Sequence, residues 1–290
     1  MKIAILSCDA YVNNGWGVIT LNYCRQLHNS GINFTLFLPK DHSRVNEVWQ
    51  ESVSYILPSL HLKFSSYRTI YNATTNLRFF SNYDLIHSLF SVPLSLIAYR
   101  AANKYDIPFI MGAQGTYGVL PFLKWFDRKM YIRILERVDL FITPSNFTRR
   151  TMLSFYGKQE FQNKSIVIHN GIEFDRFNSV WSTPEKKADS AVKQFIGIGA
   201  LKSRKGFDIT IKAFQEVVKQ KPNVRYKIIG GGPKLYQDYL TELISSLGLK
   251  DFVTLTGELS GDDLIDEMKN SYAYIHTPTS KSWNFEGFGI

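Results

Sequence analysis

Apolar residues in the first half of the chain fall into short runs, and longer stretches between them repeat an apolar position every three or four residues. The runs Lys2–Ser7, Asn33–Leu38, Asp84–His87, Pro108–Met111, Leu140–Thr143 and Ser165–Ile168 read as strands. Between the first two, a helix is predicted from about Val18 to Asn29, with Ile19, Leu21, Tyr23, Cys24 and Leu27 available for burial. Gly31 stands just past its end, where a left-handed residue closes a helix. The second half restarts the alternation. Strands are expected at Gln194–Ile198, Arg225–Ile229, Phe252–Thr256 and Tyr272–His276. Helices are expected at Asp208–Gln220, with Ile211, Phe214, Val217 and Val218 on one face, at Leu235–Leu247 and at Asp262–Lys269. Strand–helix alternation implies parallel βαβ units. The predicted fold is therefore α/β: residues 1–178 form one Rossmann-like parallel-sheet domain and residues 190–290 a second. The polar, Pro184-containing stretch 179–189 is the linker, and the two sheets are expected to face a cleft.

Composition narrows the class. A length of 290 residues with 44% hydrophobic and 20% charged residues suits two globular cores. No stretch approaches the ~18 apolar residues that a bilayer span needs. The opening Met1–Cys8 is too brief an apolar run for a signal peptide and reads as the first strand. Cys8 and Cys24 have no metal-ligand spacing and read as buried hydrophobes in a reducing compartment, which points to the cytoplasm. Net charge is +9, which suits nucleotide phosphates, an anionic membrane face or nucleic acid. The basic residues are scattered with no nucleic-acid-binding motif, so no nucleic-acid partner is expected.

Four segments at predicted strand ends could carry chemistry. Asn13-Asn14-Gly15-Trp16-Gly17 follows the first strand, where Gly15 and Gly17 let backbone approach a ligand beside a helix N-terminus. The third glycine of a dinucleotide fingerprint is replaced by Thr20, and a plain tight turn is the competing reading. Leu201-Lys202-Ser203-Arg204-Lys205-Gly206 groups three cations in four residues, either a diphosphate clamp or a solvated basic turn. Ile229-Gly230-Gly231-Gly232-Pro233 offers backbone amides to a base, ribose or phosphate, or is a loop that needs positive φ angles. Phe285-Glu286-Gly287-Phe288-Gly289-Ile290 sets one carboxylate among glycines, either a ligand for sugar hydroxyls or an exposed acid.

In ordered succession these segments resemble the large retaining glycosyltransferase family of GT-B fold known as family 4. Ser165–Glu173 followed by Phe177 is similar to the family's strand, Asn-Gly-Val-Asp and Phe; Ile198–Leu201 with Lys205-Gly206 is similar to its Gly-Arg-Leu…Lys-Gly segment. Ile229–Pro233 resembles the nucleotide loop, and Val253-Thr254-Leu255-Thr256-Gly257 the strand leading to the base. Ser145-Asn146-Phe147 also fits, and Glu286–Ile290 resembles the opening of the family's Glu-x7-Glu motif. The resemblance implies a nucleotide-diphosphate sugar as substrate, a glycan or lipid-linked acceptor, and no cofactor or metal. It assigns Glu286 to donor-sugar hydroxyls, Lys205 to the leaving diphosphate, and Gly17 to the distal phosphate or sugar. Gly15, Lys202, Arg204, Gly231, Gly232, Gly257, Gly287, Phe288 and Gly289 complete the expected donor side. Fixed cations on a leaving diphosphate stabilise charge separation without a metal, and no Asp-x-Asp metal clamp is present.

The sequence departs from the family pattern at three places. Ala200 stands where a diphosphate-binding Arg is expected, so Lys202 or Arg204 would supply the second charge. Gln114-Gly115-Thr116 replaces a His-Gly; Gln114 can hydrogen-bond a sugar but cannot act as a base. The second Glu would fall beyond Ile290, so the donor domain is expected to be incomplete and the chain a fragment. On the acceptor side the candidates are His87, which is as readily a core or strand-end histidine, and Asn170. Acceptor identity is expected to depend on loops such as Lys40–Ser66. Lys124–Arg137 is a basic amphipathic helix with Lys129, Arg133 and Arg137 at four-residue spacing beside Trp125, Phe126, Met130, Ile134 and Val138. It could lie on the inner face of a membrane, or be an ordinary surface helix with a solvated basic face. Two other function classes remain: an inactive glycan- or nucleotide-binding relative, suggested by Ala200 and Gln114, and a nucleotide-cofactor oxidoreductase, suggested by the glycine loops.

Overall fold

The computed structural model describes residues 1–12, 15–59, 67, 70, 76–172, 174, 177–178, 191–259, 261–280 and 282–288. The chain divides into two compact units, Met1–Ile172 with Gly287–Ile290 and Glu173–Glu286. The predicted linker at 179–189 lies outside the described residues.

The first unit is a seven-stranded, wholly parallel sheet. Its strands are β1 (Lys2–Leu6), β2 (Asn33–Pro39), β3 (Val53–Leu57), β4 (Leu85–Ser88), β5 (Phe109–Gly112), β6 (Leu140–Thr143) and β7 (Ser165–Val167). They run in the order β3-β2-β1-β4-β5-β6-β7, so the chain reverses direction across the sheet between β1 and β4. Ile3, Ala4, Ile5 and Leu6 are all buried, as a strand covered on both faces demands. The first helix is Gly15–Asn29, with Leu21 and Cys24 in the core, and Gly31 closes it at φ +67. Cys8 and Cys24 are free and buried, as expected, and burial pushes both thiols up.

The second unit is a four-stranded parallel sheet of β8 (Lys193–Ile198), β9 (Val224–Ile229), β10 (Val253–Gly257) and β11 (Ala273–Tyr274), in the order β10-β9-β8-β11. Its core joins Phe207, Ile211 and Phe214 of helix Phe207–Gln220 to Tyr226 and Ile228 of β9 and to Leu240 and Ile244 of helix Lys234–Ser246. The third helix, Gly261–Lys269, buries Ile265. The expected architecture, α/β with two Rossmann-like parallel sheets, is thus present.

Four details differ from the sequence-based expectation. Strand β3 lies inside the stretch 40–66 that was expected to be loop; it pairs in parallel with β2 through Leu36↔Val53 to Pro39↔Leu57. The strand expected at Tyr272–His276 shortens to two residues, because only Ala273 and Tyr274 find ladder partners, at Phe195 and Ile196. Val217 is exposed, and Phe207 and Thr210 take its place on the buried face of their helix. In helix Trp125–Arg137 the inward stripe is Asp127, Tyr131, Ile134 and Leu135, whereas Trp125 and Phe126 face outward. The inward turn of Asp127 is stabilised by the Tyr67 N–H, which donates to its carboxylate at 2.9 Å; beside it the buried Tyr131 hydroxyl donates to the Gly118 carbonyl at 2.9 Å.

Candidate active site

In the second unit the loops that leave β8, β9 and β10 are joined at their carboxyl ends, where ligands of such sheets sit. Gly199 N–H donates to the Ile229 carbonyl, Leu201 N–H to Gly231, and Gly230 N–H to Gly257, at 2.9, 2.7 and 2.8 Å. After β8 the chain makes a single tight turn at Ser203–Lys205 that ends on Gly206 at φ +70. Only glycine fits that end of the turn: a Cβ there would lie 1.8 Å from the Thr277 carbonyl oxygen. Thr277 fixes the turn from the other side, its hydroxyl donating to the Gly206 carbonyl at 2.8 Å and lying 2.7 Å from the Thr210 hydroxyl. Thr279 N–H donates to the Arg204 carbonyl at 2.8 Å. The cation-bearing turn is therefore pinned by residues about seventy positions later in the chain.

This pinning aims Lys205 and Arg204 at Glu286. Lys205 Nζ lies 3.1 Å and Arg204 Nε 3.6 Å from Glu286 Oε2. The Lys205 and Glu286 side chains are only 13% and 14% exposed. Oε2 is buried and has no aligned hydrogen-bond donor among the described residues, so the ion pair holds it by charge while its acceptor capacity stays unspent. Two residues that the sequence reading took only as strand belong to the same surroundings. Tyr274 and His276, two positions apart on one side of the chain, stack with ring centroids 5.7 Å apart. Burial and then the Lys205 charge lower the His276 imidazole, against an opposing pull from Glu286. Burial and then the Glu286 charge raise the Tyr274 phenol.

The remaining donor-side expectations fare differently. Lys202 is exposed on the same loop. Gly231 and Gly232 pack closely, since a Cβ would meet Glu258 Oε1 at 2.4 Å and the Leu201 carbonyl at 2.4 Å. At Gly232 the glycine is thus required by backbone packing, whereas at Gly231 the neighbour is a movable, exposed side chain; the loop leads directly into the N-terminus of helix Lys234–Ser246. Gly257 ends β10 at φ +79. Gly289 lies outside the described residues. Gly287 and Phe288 group with the first unit, where Ser145 Oγ donates to the Gly287 carbonyl at 2.7 Å and His169 stacks on Phe288.

In the first unit, Gln114 and Asn170 come together. Their amides exchange two hydrogen bonds, Gln114 Nε2 to Asn170 Oδ1 at 3.2 Å and Asn170 Nδ2 to Gln114 Oε1 at 3.1 Å. Gly15 has open space around it, whereas Gly17 is buried against backbone, with a Cβ only 1.9 Å from the Tyr11 carbonyl oxygen. Thr20, in the place of a third glycine, lies 2.8 Å from the Ser7 hydroxyl and donates to the Trp16 carbonyl at 3.0 Å. His87 sits inside the core on β4 with Nδ1 2.9 Å from the Tyr23 hydroxyl, and burial pulls its imidazole down to about 4. That is the position of a core histidine. The sequence reading missed His42, which stacks on Tyr11 at 4.1 Å and accepts the Ala10 N–H on Nε2 at 3.1 Å, beyond the ends of β1 and β2. Among the described residues no three His, Cys, Asp or Glu side chains come together to hold a metal ion.

The sequence pattern of Glycosyltransferase Family 4 matches residues 13–176, more than half of the chain. The chain belongs to glycosyltransferase family 4. The pattern of Glycosyl transferases group 1 matches residues 182–290 of this family 4 chain. It is 25% identical over 214 residues to a GDP-mannose-dependent alpha-(1-6)-phosphatidylinositol monomannoside mannosyltransferase of Mycolicibacterium smegmatis, covering 69% of this chain and 52% of that protein. It is 24% identical over 221 residues to an alpha-monoglucosyldiacylglycerol synthase of Streptococcus pneumoniae, covering 69% and 47%. The family 4 chain thus spans about half the length of these curated relatives. Its fold is shared with Anabaena HepE, solved in complex with UDP, at a TM-score of 0.69 and 17% identity over 97% of this chain and 75% of that one.

Proposed function

We propose that this glycosyltransferase moves a hexose from a nucleotide-diphosphate sugar to a glycan or lipid-linked acceptor, with retention at the anomeric carbon, in the assembly of cell-surface polysaccharide. The observation that carries the reading is the convergence of Lys205 and Arg204 on the buried Glu286 carboxylate, at the carboxyl ends of β8 and β9. Cleavage of the sugar–diphosphate bond leaves negative charge on the diphosphate and positive charge on the sugar carbon. Two cations fixed by a pinned turn stabilise the first without reorganising, and Glu286 Oε2 accepts sugar hydroxyls. Lys202, on the exposed part of the loop, adds a third charge in place of the expected Arg at Ala200. The glycine loop Gly230–Gly232 and the helix N-terminus behind it present backbone amides to the nucleotide. The reading assigns the reaction no cofactor, because these cations supply the charge that it needs. Gln114 and Asn170, as a paired amide surface, are assigned to the sugar and acceptor. Site of action is the cytoplasm, at the inner membrane face. Support also comes from the relatives, one named as GDP-mannose-dependent and one as a monoglucosyldiacylglycerol synthase, and from the UDP complex of HepE.

The test is thermal stabilisation by UDP, GDP, ADP and NAD in turn, followed by product analysis with the matching sugar nucleotide. A nucleoside diphosphate at a hundred times its Kd should add about 2.7 kcal/mol of stability. NMR should then show a product with the donor's anomeric configuration. Stabilisation by NAD alone would make the protein an oxidoreductase. Donor binding without hydrolysis or transfer would make it a sugar-nucleotide-binding relative.

A further inference from the structure

The strand that ends beside the Lys205 turn brings one more titratable ring to it. β11 lies against β8 in parallel, with Ala273 level with Phe195 and Tyr274 with Ile196, and the Ile275 N–H donates to the Ile196 carbonyl at 2.8 Å. Carried two residues on, that register sets His276 level with Ile198, the last residue of β8, one strand spacing of about 4.8 Å away. Lys205 comes back to the same place from the turn that follows: a Cβ at Gly199 would lie 3.7 Å from Lys205 Nζ. The charges of Lys205 and Glu286 both reach His276 there. Its surroundings come from three elements. The turn after β8 supplies two cations, Lys205 and Arg204, and the last segment supplies one carboxylate, Glu286. Its own strand supplies Tyr274, stacked on it, whose phenol is raised and so stays uncharged. Among the described residues no hydrogen bond engages either ring nitrogen of His276, and the side chain is exposed.

The geometry points to His276 as a third phosphate-facing group of this site, neutral beside Lys205, Arg204 and Glu286 alone and protonated once a nucleoside diphosphate is bound. On their own, two cations outnumber the one carboxylate, and a third positive charge is disfavoured; the lowered imidazole has that cause together with burial. A diphosphate reverses the balance, because its oxygens bring several negative charges to the same place. The proton comes from solvent, and the imidazolium N–H then donates to a phosphate oxygen. This rests on the nucleotide-diphosphate reading of the site and adds to it a proton taken up with the ligand. The sign follows from linkage: binding that takes up a proton is strengthened as pH falls, by up to about tenfold per pH unit for one whole proton.

The experiment is calorimetric titration of the whole protein with UDP, GDP and ADP in PIPES, HEPES and Tris at about pH 7, where the different heats of buffer ionisation reveal the protons exchanged. His276→Gln is titrated in parallel. Protons that belong to the ligand or to other groups are common to both proteins, so the difference between them isolates the proton on His276. The parent should take up more protons per diphosphate than the variant, by a substantial fraction of one. The parent should also bind about tenfold or more tightly than the variant at about pH 6, with the ratio falling towards unity by about pH 8. A second measurement needs no variant: the His276 ring-proton resonance of the parent, assigned by backbone connectivity, should move towards the imidazolium position when the diphosphate is added. Diphosphate binding with equal proton uptake in parent and variant, or with a His276 resonance that stays in place, would overturn this inference and leave the donor site standing. A parent protein that binds none of the three diphosphates would overturn both.

Discussion

Replacing Lys205 by alanine separates a phosphate-binding role from a purely structural one. The structure sets the magnitude. Glu286 Oε2 has one cation at 3.1 Å and another at 3.6 Å. At an effective dielectric of about 20, Coulomb's law gives roughly 5 kcal/mol for each, before desolvation is subtracted, and the two differ by about 1 kcal/mol or less. Lys205→Ala therefore leaves close to half of the attraction on the carboxylate, in Arg204, and the variant should fold. What it loses, on the proposed function, is a charged hydrogen bond to the diphosphate. Such bonds contribute about 1.5–3 kcal/mol net, so a nucleoside diphosphate should bind roughly 10- to 150-fold more weakly. The matching nucleoside has no phosphate to lose, and its affinity should stay within roughly twofold, the scatter of a neutral substitution. Glu286→Gln supplies the opposite sign. It releases both cations from their internal partner, so the diphosphate should bind as well as before or more tightly, while turnover of the sugar nucleotide falls. Calorimetric titration of the diphosphate and the nucleoside against parent and both variants reads all of these values. If Lys205→Ala weakens nucleoside and diphosphate equally, Lys205 lies away from the phosphates and the assignment fails.

Three other outcomes follow from the structure. Gly206→Ala should cost at least about 1–2 kcal/mol from the left-handed backbone alone, with a further loss when the Thr277 clamp is displaced, seen as a lower denaturation midpoint and weaker diphosphate binding; unchanged values for both would show that the turn is not under tension. His87 is held near 4 in the folded state against 6.5 unfolded, so the unfolded chain binds the extra proton and stability is lost as pH falls from about 6.5 towards 4, by at most about 3 kcal/mol. His87→Gln should flatten the pH dependence of urea midpoints over that window, and parallel curves for parent and variant would refute it. Tyr131→Phe removes the hydroxyl that donates to Gly118 and should cost about 1 kcal/mol, leaving an unpaired carbonyl in the core; a more stable variant would contradict the hydrogen bond.

The sequence was most readable where local pattern and tertiary burial agree. The β1 run Lys2–Leu6 is apolar because both faces are covered, and the turn at Lys205-Gly206 shows itself by charge and glycine at a strand end. Order along the chain also placed Glu286 with Lys205, although no local signal connects them. Helix Trp125–Arg137 was harder. Periodicity reveals an apolar stripe but not its direction, and the helix has two: one with Phe126 and Met130, the other with Tyr131 and Leu135. The inward choice is made by a carboxylate, Asp127, which polarity alone would place in solvent and which a distant amide brings inside. β3 was lost for a related reason, because Val53–Leu57 is a half-buried edge strand with a serine and a tyrosine inside it. Tyr274 and His276 look like strand residues and become part of the site only through the folding of the loop that carries Glu286. His42 has no local signal at all, since its meaning comes from the Tyr11 ring and the Ala10 amide.

The clamp on Gly206 also sets a schedule. Thr277 leaves the ribosome 71 residues after the glycine it holds. At synthesis rates of about 5–20 residues per second, that gap lasts roughly 4–14 s. During that interval β8 and its following helix have been made, yet the turn between them has no lock and its cations have no fixed direction. On the proposed function, nucleotide could not rescue a chain made only as far as β8 and its helix, because the turn that would grip phosphate is fixed only once Thr277 has been made. Ligand binding at that turn would therefore report the arrival of the Thr277 segment rather than the making of β8, and a protease present during translation would meet the turn in its unguarded form.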